Sequence, residues 1–554
     1  MRKEGIPMKK ILAFALAAAL LTGCGNSTVA EVTTQPATEA PAVTEVPAGI
    51  SVPEDTIPYE SRFSSETVIV LSDEGITVNG DGETDTVFTS RDIIYYENRE
   101  TYDSGNPYGE GTAADRHTAE EADAHLVVNI TAPGAYRLSG KLSAGQIRID
   151  LGDDAYEDPE AVVELILENA DITCSVAPAI LFLNTYECDG NWSEDDAKPD
   201  VDTSAAGANL ILDGSNKVHG AYVAKIFKDK DGEKKLWKQD GAIYSYMSMN
   251  VFGPGSLELT ADNEGLDTEL HLTINGGDIT ILSHNDGINT NEDNVSVTTI
   301  NSGSLTIYAG LGAEGDGIDS NGYLLINGGN VLSCAKPISD AGLDSDLGSY
   351  VHGGTVIALG STMDWAESNS KQVTMNLQFA SQQTANSIIR ITDTSGNEVF
   401  SCAMDTYDRT FSGLVLSAPN LKQGETYQIW VNDVQQQYTG TDVGFGFGRP
   451  GMGGMPGGMT PPESFGGQMP EDFKGQMPEG GFGGRGERPE GFENKRPEDF
   501  TGEMPSMPEG MQPGQRPEGN FGGRDFGNES TGEPSTEFYM NDKVNAFSGV
   551  TAIQ

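Results

Sequence analysis

Basic residues are scarce in this chain: 33 Lys and Arg stand against 84 Asp and Glu, for a formal net charge of -51 over 554 residues. So acidic a surface repels the phosphates of nucleic acid instead of displacing their counterions, and divalent cations are its natural partners. Histidine (6) and cysteine (5) are too few and too scattered for a zinc cluster. His271, His284 and His352 fall at unrelated positions of the pattern described below, and no hydrolase-type serine elbow accompanies them. Between Gly241 and Gly360 there is no Arg, and the one Lys is Lys336. A lyase base beside a substrate carboxylate is therefore hard to find, and Lys336 next to Pro337 reads as a solvated corner residue. Apolar periodicity of the helical kind is also missing over any useful length.

Long apolar runs are absent with one exception, Ile11–Leu20, which follows Lys9 and Lys10 and is too short to span a bilayer as a stable helix. Residues 1–23 read as a signal peptide. Leu21, Thr22, Gly23 and Cys24 then resemble the lipobox of bacterial lipoproteins, which implies lipid on Cys24 and a protein held at the extracellular face of the cell membrane. Residues 24–58 carry Thr, Pro, Ala and Glu with almost no large apolar side chain, so they cannot offset chain entropy by burial and read as an extended tether. Cys174 and Cys188 are near enough in sequence to pair outside the cell. Cys174, however, sits in a strand-like run where a buried free thiol is the competing state.

A repeat dictates the fold. Ile274–Ile281 (INGGDITI), Ile300–Ile307 (INSGSLTI), Ile326–Ser333 (INGGNVLS) and Val351–Ala358 (VHGGTVIA) recur at intervals of 26, 26 and 25 residues. Each unit sets β-branched, alternating residues around a Gly or Asn turn, and repeats of this length signal a solenoid. One coil cannot bury its apolar residues alone, whereas stacked coils align Ile on Ile at about 4.8 Å. The expectation is an all-β right-handed parallel β-helix over residues 59–370, with positive-φ glycine corners. Its ends need caps, because a bare end coil exposes unpaired strand edges; residues 371–442 read as capping strands.

A second motif runs in step with the first: Glu264-Gly-Leu-Asp267, Asp286-Gly-Ile-Asn289, Asp316-Gly-Ile-Asp319 and a degenerate Ala341-Gly-Leu-Asp344. Equal corners of successive coils would place these acids one strand spacing apart, where like charges raise one another's pKa unless a cation lies between them. Calcium accepts carboxylate, amide and carbonyl oxygens in flexible geometry. Glu264, Asp267, Asp286, Asn289, Asp316, Asp319 and Asp344 are therefore the candidate calcium ligands.

Three stretches, Ala132–Ile147, Glu168–Ile180 and the Asp-Gly-Ile units, together resemble the secreted bacterial carbohydrate-binding parallel β-helix proteins that look like polysaccharide lyases without their catalysis. The resemblance spans Thr67 to Asp433. It implies binding of plant cell-wall polysaccharide, cellulose-like or pectin-like, with calcium along the helix. Phe88–His125 and Glu187–Ala206 depart from it as acidic insertions.

The acids also permit a glycosidase, which needs two carboxylates at a defined separation with one kept protonated. Acids repeated in every coil nevertheless look like ion sites, and an active site should break the repeat at one place, which none does. Non-catalytic polysaccharide binding is the favoured expectation, with a pectate-lyase-like or hydrolase-like enzyme and a structural adhesin or protein scaffold as alternatives. An anionic polysaccharide would need calcium to bridge it to so acidic a protein. A neutral one needs aromatic platforms, for which Trp192, Trp237, Tyr244, Tyr246 and Trp365 are the candidates, while Trp430 reads as core. Residues 443–537, crowded with Gly, Pro and Met, read as disordered, and 538–554 regain the apolar residues of a returning strand.

Overall fold

The computed structural model describes residues 57–96, 116–190, 198–224, 238–361, 363–404, 407–443 and 533–553. The signal peptide, Cys24, almost all of the tether, Trp192, Trp237 and nearly all of residues 443–537 lie outside the described residues. The protein is all-β. Among the described residues the helical elements are Ala119–Asp123 and the short turn Ala155–Glu157.

The sequence repeat becomes a pairing rule, because each repeated strand hydrogen-bonds in parallel to its equivalent in the next repeat. A first ladder stacks Ser256–Ala261, Asp278–Ser283, Ser304–Tyr308, Asn330–Cys334 and Thr355–Gly360. A second stacks Met249–Phe252, Leu272–Ile274, Val297–Ile300, Tyr323–Ile326 and Gly348–Val351. The third stacks Gly241–Ser245, Glu264–Thr268, Ile288–Thr290, Ile318–Ser320 and Leu343–Ser345. Strands alternate their side chains, so apolar residues at every second position form continuous interior rows. Leu266, Ile288, Ile318 and Leu343 form one such row, each without solvent exposure.

Two backbone demands explain the glycines of the motifs. The corner between the second and first ladders turns at positive φ on Gly277, Gly303, Gly329 and Gly354. A side chain there would strain the backbone. The glycine of each Asp-Gly-Ile unit answers a different need: a Cβ on Gly287 or Gly317 would lie 2.6 Å from a carbonyl oxygen of the next coil, Gly317 O or Gly342 O. A second interior row on the third ladder is hydroxylic. Ser245, Thr268 and Ser320 donate to the carbonyls of Met247, Leu270 and Tyr323, satisfying backbone at the tight corner that follows.

The stack is covered at both ends. Glu66–Ser72 pairs in parallel with Gly134–Leu142 and antiparallel with Gly75–Val78, and Val87–Ser90 pairs antiparallel with Leu126–Ile130. Phe88, the first residue of the expected insertion Phe88–His125, lies in the strand Val87–Ser90. At the other end Phe411–Ser417 pairs antiparallel with both Thr355–Gly360 and Thr374–Gln383, and Val544–Ala552 pairs in parallel with the latter. Outward side chains of the first ladder, Tyr308, Leu332, Cys334, Ile357 and Leu359, are buried against Phe379, Phe411, Phe538 and Phe547. Tyr438 and Ser535 exchange backbone hydrogen bonds of 2.9 and 3.0 Å, so the chain leaves and re-enters this cap at one point.

Two side chains depart from expectation. Trp430 is half-buried on an outer face with the Arg390 guanidinium 4.8 Å from its ring centroid, and its Nε1 donates to Thr392 Oγ1 at 3.2 Å. It is a surface stack and not core. Lys336 is partly buried and donates from Nζ to the Gly312 carbonyl, tying two coils together. Cys174 and Cys188 are free thiols, the first fully buried.

Candidate functional site

The acidic motif lies along one side of the third ladder. Register places Tyr244, Asp267, Asn289, Asp319 and Asp344 in a single outward row. Glu264, Asp286 and Asp316 begin the adjacent turns, with Ala341 at the degenerate position. Neighbouring coils are stitched through these groups: Asp286 Oδ1 accepts from Asp316 N at 2.6 Å, Asp316 Oδ1 from Ala341 N at 2.5 Å, and Glu264 Oε2 from Asn289 Nδ2 at 3.2 Å.

The row is dry. Asp267 is fully buried, and Glu264, Asn289 and Asp286 are 3, 6 and 8 % exposed. Burial, reinforced by neighbouring acids, pushes the Glu264 carboxyl up to about 7 and Asp316 up to about 8. Asp267, Asp286 and Asp319 rise well above the ordinary carboxylate range for the same reasons, and Asp344 also rises. Lys238 is a nearby cation that sequence inspection missed, since it stands outside the repeat. It pairs with Asp240, whose charge holds the ammonium well above its usual range. A lysine so firmly protonated is unsuited to act as a base.

Two oxygens in the row, Asp267 Oδ2 and Asn289 Oδ1, are buried without a hydrogen-bond partner. They belong to register-paired residues of adjacent coils. Buried oxygens facing no donor are what a hard cation would satisfy. As placed, no group of three or more His, Cys, Asp or Glu side chains converges to hold a metal among the described residues.

Of the aromatic platforms expected from sequence, Trp192 and Trp237 lie outside the described residues, and Tyr244 and Tyr246 are not platforms. Tyr244 and Tyr246 are 0 and 1 % exposed, packed edge-on to each other at 5.1 Å, with the Tyr244 hydroxyl donating to Glu269. Trp365 is partly buried against the main core. Partly exposed aromatics also stand on the outward face of the second ladder. There a groove of about 700 Å³ is lined by Thr299, Asn301, Tyr323, Asn327, Tyr350 and His352, with Leu325 at its floor. Ring centroids of Tyr323 and Tyr350 are 6.2 Å apart, and those of Tyr350 and His352 also 6.2 Å. Asn327 donates to Asn301 and Asn301 to Asn275, each at 2.8 Å, so the amides form a ladder beside the rings.

One end of the groove is walled by the segment Pro199–Asp202, and the other by Asn369 and Lys371. The wall is anchored at its next residue: Thr203 Oγ1 lies 2.8 Å from Asn250 Oδ1 and 2.7 Å from Thr273 Oγ1, and Asn250 Nδ2 donates to the Thr203 carbonyl at 2.9 Å. Parity along the strand would have found this site: Thr299, Leu325 and Tyr350 are register partners facing out between buried neighbours.

Residues 124–398 match the family described as carbohydrate-binding domain-containing protein. A carbohydrate-binding domain-containing protein of Acetivibrio thermocellus is 28 % identical over 155 residues, 28 % of this chain and 44 % of that protein, so the chain spans less than half of the curated relative it matches. A solved polysaccharide lyase-like protein from C. thermocellum, a gadolinium derivative, is 20 % identical; the match covers 52 % of this chain and 93 % of that one, with a TM-score of 0.29.

Proposed function

We propose that this protein binds a cell-wall polysaccharide, cellulose-like or pectin-like, without cutting it, on a calcium-stabilised right-handed parallel β-helix held by lipid on Cys24 at the outer face of a bacterial membrane. The observation that carries the binding is the solvent-facing groove on the second ladder, where two tyrosines and an amide row lie within the carbohydrate-binding match. Pyranose rings offer apolar faces and a rim of hydroxyls, and tyrosine rings beside amides answer both. The three parallel ladders support the β-helix, since every coil adds one strand to each.

Calcium fits the acid row through the orphaned oxygens of Asp267 and Asn289, with Glu264 beside them; Asp286, Asp316, Asp319 and Asp344 continue the row. A bound cation would neutralise carboxylates that otherwise take up protons. The groove itself lacks the parts of a hydrolase. Its carboxylates, Asp200 and Asp202, are exposed, and the Ser204 hydroxyl and amide hold Asp202 below the ordinary range, so Asp202 is not kept protonated as a general acid must be.

The test incubates the protein with insoluble cellulose and with polygalacturonate gel, in calcium and in chelator, while the supernatant is assayed for sugar. Retention on at least one of the two polymers, without release, is expected. Unsaturated or reducing ends in the supernatant would make the protein an enzyme, and no retention on either polymer would leave the scaffold reading.

A further inference from the structure

The groove is bounded along the axis of the stack. Thr273, Thr299, Leu325 and Tyr350 are register partners in successive coils. Thr203 sits on the first of them, its Oγ1 2.7 Å from Thr273 Oγ1, and the rim Pro199–Asp202 adjoins it. Beyond the last, Ser370 Oγ accepts from Val351 N at 3.0 Å and Lys371 N donates to the Val351 carbonyl at 3.1 Å, so Asn369 and Lys371 close that end. Three coils remain between the two rims, about 14 Å at one strand spacing each. Along the strands, by contrast, the lining residues give way to glycines: Gly322 before Tyr323, and Gly328 and Gly353 after Asn327 and His352. The rings follow this second direction. Tyr350 and His352 are alternate residues of one coil, and Tyr323, one coil back, pairs with Gly348, two residues before Tyr350. A Cβ on Gly348 would lie 3.2 Å from the Tyr350 ring, so the glycine leaves room for that ring beside Tyr323. The line Tyr323, Tyr350, His352 advances in steps of 6.2 Å, and successive rings are turned by 47° and 52°.

Resting on the reading of this face as a polysaccharide site, we infer that the groove selects single glycan chains over the ordered faces of packed chains: one chain crosses the stack between the rims and seats three consecutive sugars on Tyr323, Tyr350 and His352. The face of a packed polymer is flat and wide. Rims on both sides hold it away from the rings, and rings turned by 47° and 52° do not share one plane on which it could lie. A single chain passes between the rims, and rotation about each glycosidic bond turns each sugar to its own ring. The 6.2 Å step is close to that between neighbouring sugars of a 1,4-linked chain. Asn301 and Asn327, beside the rings, offer amides to the sugar hydroxyls. Charges of both signs surround the groove, Asp200, Asp202 and Glu367 against Lys198, Lys371 and Arg62, so the selection is of chain form and applies to neutral and uronic chains alike.

The experiment titrates the protein calorimetrically with soluble 1,4-linked oligomers of glucose and of galacturonate, dimer to hexamer, at constant calcium, beside retention on the two insoluble polymers. For the sugar whose polymer retains the protein, affinity rises about fivefold or more from dimer to trimer and less than about twofold from tetramer to hexamer, as three ring contacts require. The soluble hexamer displaces the protein from the solid. His352→Ala removes the last ring, which weakens the trimer about threefold or more and leaves the dimer within about twofold of the parent, since Tyr323 and Tyr350 still hold two sugars.

Retention on a polymer whose soluble hexamer neither binds nor displaces the protein overturns the selection of single chains while leaving polysaccharide binding intact. An affinity that climbs evenly from dimer to hexamer, or a trimer unmoved by His352→Ala, overturns the seating on three rings. Binding of no oligomer, together with no retention on either polymer, overturns the function on which the selection rests. His352 is partly exposed at a corner, so its substitution does not endanger folding, and a thermal melt confirms it.

Discussion

Stripping divalent cations should make this protein more stable as the solution is acidified from pH 8 toward pH 5.5. Glu264 is 3 % exposed and its carboxyl stands at about 7 against an ordinary 4.5, and Asp316 stands at about 8 against 3.8. Between those values the folded chain holds protons that the unfolded chain has released. Falling pH therefore favours folding, until the unfolded carboxylates take up protons as well. At 1.36 kcal/mol per pKa unit, Glu264 alone contributes on the order of 2 kcal/mol between pH 7 and pH 5.5. That amounts to a few degrees in Tm for a domain of this size. Below about pH 5 the opposite class takes over: Glu66 and Asp92 are held low by hydrogen bonds to Arg137 and to Ser90 and Arg148, and their stabilisation is lost with acid. The assay is thermal unfolding followed by circular dichroism at pH 5.5, 7 and 8, in chelator and in millimolar calcium. Calcium should raise Tm most at pH 8, where the carboxylates are most ionised, and flatten the pH dependence. A Tm in chelator that is level or falls on acidification from 8 to 5.5 would refute the buried acid row as an electrostatic liability.

Two further substitutions probe the fold. Gly287→Ala sets a Cβ 2.6 Å from the Gly317 carbonyl and against Ile307, with backbone on one side unable to give way; a loss of roughly 2 kcal/mol or more is expected by chemical denaturation. Phe538→Ala removes a fully buried ring that packs 5.0 Å from Phe547 and 4.8 Å from Tyr438, which should cost about 3–5 kcal/mol and loosen the cap, seen as faster amide exchange in Val544–Ala552.

Much of the strand pairing is legible in sequence because repeats that pair in parallel impose one constraint many times. The Ile-Asn-Gly-Gly and Asp-Gly-Ile units repeat since each coil needs the same corner, and the glycine of the latter is required by a carbonyl in the next coil. The groove is legible only by parity. Tyr323 and Tyr350 are ordinary strand residues, and nothing in composition separates them from Tyr244, which also faces outward but is buried beneath Glu269 and Tyr246. The sequence alone offered Trp192, Trp237, Tyr244, Tyr246 and Trp365; outward register on the second ladder adds Tyr323 and Tyr350 in the groove. Its wall was invisible for a different reason: Pro199–Asp202 come from an insertion whose landing place is set by Thr203 meeting Asn250 and Thr273, a contact across 47 and 70 residues.

The most direct test of polysaccharide binding in the groove compares retention on insoluble cellulose of the parent protein and a Tyr323→Ala/Tyr350→Ala variant of unchanged Tm. The parent should be retained without releasing sugar, and the variant should bind about tenfold more weakly, as expected from losing two ring contacts. Equal retention of the two proteins would contradict the groove as the binding site, and release of sugar by the parent would contradict binding without cleavage.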